Sequence, residues 1–136
     1  MKQEVSASYI IPGSPIALAR ARFSNQRVWD SQKQLKINIG LVLRHQHAER
    51  PLFMGPLHID LAFYMPIPQS LSQKKKLAMD GTPHYCKPDV DNLIKLALDC
   101  CNGIVYKDDC QVAVICAKKI YSTEPRTIVT VQCILD

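Results

Sequence analysis

No apolar run in this 136-residue chain approaches the ~18 residues that cross a bilayer. No apolar stretch follows Lys2 in the manner of a secretory leader either. The two absences give the expectation of a cytoplasmic protein with no membrane partner. The six cysteines contain no Cys-x-x-Cys pair and no Cys/His spacing of the zinc type. In a cytoplasmic chain such thiols are expected to be small buried hydrophobes. His45 and His47 lie two apart on an expected helix and point in different directions, which makes a poor ligand pair. Repeats, low-complexity tracts and linkers are also lacking, so residues 1–136 should form one domain. A 47% apolar fraction over that length is enough for a hydrophobic core.

Acidic residues are in the minority, 12 against 17 Lys and Arg, for a net charge of +5. Four of the 12 (Asp89, Asp91, Asp108 and Asp109) fall in one short region, and residues 1–50 are markedly basic. A basic body around a local acidic pocket suits a polyanionic substrate drawn to a cation-charged cleft.

The patterning predicts a mixed α/β chain. Val5 to Ile11 alternates as a strand and is broken by Pro12-Gly13-Ser14-Pro15. Arg20-Ala21-Arg22-Phe23 reads as extended or loop. Asp30-Ser31 is a plausible N-cap for a helix from Gln32 to His47, with Leu35, Ile39, Val42 and Leu43 on its apolar side. Leu57 to Met65 is the clearest strand, with Leu57, Ile59, Leu61, Phe63 and Met65 on one face. A short helix from Ser70 to Met79 carries Lys74-Lys75-Lys76. Two strands follow the acidic region, Gln111 to Tyr121 and Thr127 to Leu135. Apolar residues occupy both faces of the first around Val112 to Ala117, so it is expected to be central in its sheet.

Pro88 disfavours helical dihedrals at Lys87, and Asp89 is suited to cap a helix from Val90 to Cys101 that stops at Asn102-Gly103. Apolar residues surround most of that helix. Asp91, Lys95 and Asp99 fall at i, i+4 and i+8 and form one narrow polar row. A polar stripe on a largely buried helix usually opens onto a cleft or a partner. Hard cations such as Mg²⁺ favour a few carboxylates completed by water and phosphate oxygens, so the cluster fits metal-assisted phosphodiester chemistry. The residues alone leave a local alternative open. Asp89 would be only a cap, Asp91 and Lys95 an ordinary helical pair, and Asp108-Asp109 a turn between Ile104-Val105-Tyr106 and Gln111-Val112.

The run Lys87-Pro88-Asp89-Val90-Asp91-Asn92-Leu93-Ile94-Lys95, then Asp99, Asn102-Gly103 and Asp108-Asp109-x-Gln111-Val112, resembles the signature of the RusA family of Holliday junction resolvases. Pro12-Gly13-Ser14-Pro15 with Arg20 and Arg22 resembles that family's N-terminal region, and the likeness extends over most of the chain. It implies a small α/β (α+β) domain with a mixed sheet of four to five strands, acting as a homodimer on branched DNA. The implied reaction is paired nicking of four-way junctions in recombination and repair, with Mg²⁺ as cofactor and Mn²⁺ as a possible substitute. Asp89, Asp91 and Asp109 would then be the catalytic metal ligands and Lys95 the catalytic lysine. Lys87, Lys74, Lys75, Lys76, Arg20 and Arg22 would contact DNA phosphates, and Asp99 would be structural. A nuclease with a broader taste for flaps or forks, or a junction binder that has lost cleavage, are the alternatives; the intact carboxylates speak against the second.

Overall fold

The computed structural model describes residues 5–19, 22–24 and 27–134. In chain order its elements are β1 (Ser6–Pro12), β2 (Arg22–Ser24), β3 (Arg27–Trp29), α1 (Lys33–His47), β4 (Leu57–Pro66), α2 (Gln73–Met79), α3 (Val90–Cys101), a 3-10 turn at Asp109–Gln111, β5 (Val112–Ser122) and β6 (Arg126–Cys133). Four strands form a mixed sheet in the order β1-β6-β4-β5, and β2 and β3 make a separate two-stranded ribbon. This is the expected α+β architecture. No helix among the described residues is long and apolar enough to cross a membrane.

The alternation in β4 sets the layout. Leu57, Ile59, Leu61, Phe63 and Met65 are all buried, whereas Asp60 on the other face is exposed. Registers with β6 and β1 carry the buried face across the sheet through Val129, Val131 and Tyr9. Leu43 of α1 and Leu93, Leu96, Ala97 and Cys101 of α3 close the same core. The opposite face carries short polar groups such as Ser8 and Thr130, whose hydroxyls lie 3.0 Å apart. His47 is buried and sits 2.6 Å from the Tyr9 hydroxyl through Nδ1, which commits it to the core. Gly103 follows the end of α3 at φ 75°, the left-handed conformation that a helix-terminating glycine supplies without strain.

Four expectations need correction. β5 is an edge strand, because β4 is inserted between it and β6 and pairs with it in parallel. Its residues Ala113 to Lys118 are exposed, with Val114 42% and Ile115 38% accessible. Apolar residues on both faces read as a central strand only if layers cover both faces, and here Ala113 to Lys118 are left uncovered. Next, α1 has no side-chain cap: Asp30 accepts a bond from the Gln32 amide at 2.8 Å and from Lys36 Nζ, and the helix begins at Lys33. The short lysine helix α2 begins at Gln73, behind an Ser72 hydroxyl that accepts from the Lys75 amide. Finally, only Cys100, Cys101 and Cys133 are buried; Cys86, Cys110 and Cys116 are exposed.

Phe63, 1% exposed, lies against Leu93 and Leu96 of α3. Phe63→Ala should cost about 3–5 kcal/mol in a denaturant melt with little change in slope. A loss below about 1 kcal/mol would show that α3 does not rest on this face of the sheet.

Candidate functional site

The segment ahead of α3 is zipped onto the outer edge of β5. The Gly81 amide donates to the Tyr121 carbonyl at 2.8 Å, Tyr121 returns a bond to the Thr82 carbonyl at 2.9 Å, and the His84 amide reaches the Lys119 carbonyl at 3.0 Å. His84 packs on the Tyr121 ring with centroids 4.7 Å apart. Burial, followed by the Lys119 charge, holds its imidazole below the usual histidine range. Lys119 then turns its ammonium onto the next residues and donates to the Cys86 and Pro88 carbonyls, each at 2.7 Å. Sheet edge and acidic motif are thereby joined through one side chain.

α3 starts where expected, and Asp89 occupies the N-cap position. Its carboxylate does not cap the helix. It accepts from Lys87 Nζ at 2.9 Å, and this bond, with the Lys87 charge, holds the carboxyl below the usual carboxylate range. Asp91 sits in the first turn, where a negative charge is favoured by the helix dipole. The anticipated stripe is present: Asp91 and Lys95 are exposed and Asp99 half-exposed, while Leu93, Leu96 and Ala97 are buried. Asp99 is drawn to Lys36 of α1 at 3.7 Å, which ties the two helices and fits a structural role. An open groove lies over the start of α3, lined by Tyr85, Lys87, Asp89, Asp91 and Lys119.

The second acidic pair stands at the other end of the helix. Asp108 and Asp109 are not on a strand leaving a hairpin, as expected, but at the entry and first residue of the 3-10 turn. Asp109 is hydrogen-bonded to the Asn102 side chain. Burial, then the hydrogen bond and charge of Asp108, raise its carboxyl above the usual range, with Asn102 opposing. Asp108 is lowered, first by its bond to Cys110 and then by Asp109, so the two neighbours are shifted in opposite directions. At 1.5 Å per helical residue, the stretch from Asp91 to Asn102 spans roughly 16 Å. Among the described residues Asp89, Asp91 and Asp109 do not form a group whose ligand atoms lie within 4.8 Å.

The model of the family described as endodeoxyribonuclease RusA matches residues 12–132. The chain belongs to the RusA family. It is also 35% identical over 134 residues to the uncharacterized protein YqaN of Bacillus subtilis (strain 168), covering 91% of this chain and 94% of that one. RusA membership implies an endonuclease of branched DNA.

Two residues, Gln111 in the RusA signature and Lys119 on β5 beyond it, have roles that sequence reasoning did not assign. Gln111 accepts from the Lys107 and Asp108 amides at 3.0 and 3.2 Å and donates to the Phe53 and Gly55 carbonyls at 3.0 and 3.1 Å. It is the staple that fixes the turn bearing Asp109. Lys119 fixes the approach to Asp89. Lys74 and Lys75 are exposed on α2 and Lys76 is half-exposed, just before the zipped segment. Arg20 lies outside the described residues, as does the side chain of Arg22 at the start of β2.

Removing the Lys119 ammonium should loosen the motif without unfolding the sheet. In Lys119→Met, amide hydrogen exchange should rise by at least about tenfold over residues 86–92 while β4 and β6 keep their protection. Unchanged exchange at those residues would remove Lys119 from the account.

Proposed function

We propose that this RusA-family chain is a Mg²⁺-dependent endonuclease that resolves DNA four-way junctions by paired nicks, acting as a homodimer in recombination and repair. The observation that carries this reading is the start of α3. Two exposed carboxylates, Asp89 and Asp91, stand there at an open groove with Lys87 and Lys119, and Lys95 follows one turn along the same face.

The donors fit the cofactor. Magnesium is commonly held by one or two carboxylates, with waters and substrate phosphate oxygens completing its shell. Asp89 and Asp91 supply such a pair, and Lys87 holds the Asp89 carboxyl below the usual range. Bound there, Mg²⁺ supplies water activation and stabilisation of charge developing on the phosphate, with Mn²⁺ as a substitute. Lys95 donates to a phosphate oxygen as charge builds on it. Lys87, Lys74, Lys75 and Lys76, with Arg20 and Arg22, hold the backbone of the branched substrate without reading bases.

Asp109 enters this scheme through the dimer. A four-way junction presents two strands related by a two-fold axis, and a C2 dimer matches it with two sites. Within one chain the length of α3 separates Asp109 from Asp91, so Asp109 serves the site of the other copy.

Asp91→Asn keeps the size of the side chain and removes a ligand charge. The folded variant should lose cleavage of a synthetic four-way junction by about 10³-fold or more while still binding it. Mg²⁺ should support wild-type cutting and EDTA should stop it. Near wild-type cutting by the variant would leave Asp91 as an ordinary helix residue. Equal cutting of flaps and junctions would favour a broader nuclease, and binding without cutting by the wild type would favour an architectural protein.

A further inference from the structure

We propose that His58, Asp60 and Cys116 form a second metal site, for a borderline-soft divalent ion such as Zn²⁺, on the sheet face turned away from α3. Their ligand atoms lie within 4.8 Å of one another, and they are the only three such donors among the described residues that do so. The arrangement follows from strand geometry. His58 and Asp60 are two apart on β4 and share a face, and the parallel register sets Cys116 of β5 directly beside Asp60. His58 Nε2 already lies 3.3 Å from Asp60 Oδ1, and both side chains are accessible, at 31% and 54%. A depression opens beside them over Ala62 and Thr130, where small side chains leave the face concave.

The donor chemistry selects the ion. An imidazole nitrogen, a carboxylate oxygen and a thiolate sulfur suit Zn²⁺, for which three protein ligands and one water complete a tetrahedron. Mg²⁺ keeps to oxygen and has no use for the sulfur or the nitrogen. On binding, the Cys116 thiol loses its proton to solvent. The thiolate and the Asp60 carboxylate then balance the two charges of the ion, so the nearby Lys118 on the depression's rim faces a neutral centre. His58 and Asp60 belong to the central strand β4 and Cys116 to the edge strand β5, so the ion is a clip across the last pair of strands. It works independently of the Asp89-Asp91 groove, with the sheet between them. None of the usual zinc spacings announces it, because one donor lies more than 50 residues from the other two and only the parallel register joins them.

The test is a Co²⁺ titration of the reduced, metal-free, full-length protein in excess Mg²⁺. Co²⁺ held by a thiolate shows a sulfur-to-metal charge-transfer band, which should saturate at one ion per chain and be displaced by Zn²⁺. The band should vanish in Cys116→Ser and persist in Cys86→Ser and Cys110→Ser, the other exposed thiols. Asp60→Asn and His58→Ala, both at accessible positions, should weaken Zn²⁺ binding by at least about tenfold. Zn²⁺ should also raise the melting temperature of the wild type and not that of Cys116→Ser. No saturable band, a band that survives Cys116→Ser, or a Zn²⁺ affinity untouched by both His58→Ala and Asp60→Asn would each overturn the proposal.

Discussion

One ammonium group determines where the acidic motif sits. Lys119 projects from β5 and holds the carbonyls of Cys86 and Pro88, at 2.7 Å each, at the point where the chain turns into α3. Hydrogen bonds to a charged donor are among the stronger ones available to a backbone. Here two of them fix both ends of a three-residue step. The position of Asp89 and Asp91 relative to the sheet therefore depends on a strand nearly thirty residues later. The buried face of α3 completes the constraint, since Leu93, Leu96, Ala97 and Cys101 allow only one rotation about the helix axis. With start and rotation fixed, Asp91 and Lys95 have only the groove side left to occupy.

Much of this was legible in the residues. The period of two in Leu57 to Met65 identified β4 and its buried side, and apolar residues around α3 with one polar row identified a helix whose bounds proved to be Val90–Cys101. What escaped was long-range. Ala113 to Ala117 looks the same whether a strand is covered on both faces or left exposed at an edge, because composition does not report which neighbours arrive. Asp89 was read as a cap because Asp commonly is one, yet Lys87 two residues earlier competes for the same carboxylate. Gln111 stood in the signature as part of a motif, and only the fold shows that its amide bridges to Phe53 and Gly55.

The two acidic pairs differ in environment as well as in place. Asp89 is solvated and Lys87 lowers its carboxyl below the usual range, and an ionised carboxylate is what a hard cation requires of a ligand. Asp109 is more enclosed, and burial and then Asp108 raise its carboxyl above the usual range. Under the proposed function this carboxylate would serve as a ligand when the rest of a site is delivered to it. Asp89 and Asp91 of another protomer would deliver it. Under the proposed dimer, the same division would leave the cutting centre of a small domain incomplete until it meets a second copy on a two-fold substrate.

Mixed dimers test that central claim most directly. Asp91→Asn and Asp109→Asn are purified separately, shown to be folded and inactive, and then combined with a four-way junction and Mg²⁺. If each site takes Asp91 from one protomer and Asp109 from the other, a mixed dimer contains one intact site of two, and nicking by an equal, fully exchanged mixture should return to about a quarter of the wild-type level. A mixture no more active than either parent would place both carboxylates in the same protomer's site and contradict the account.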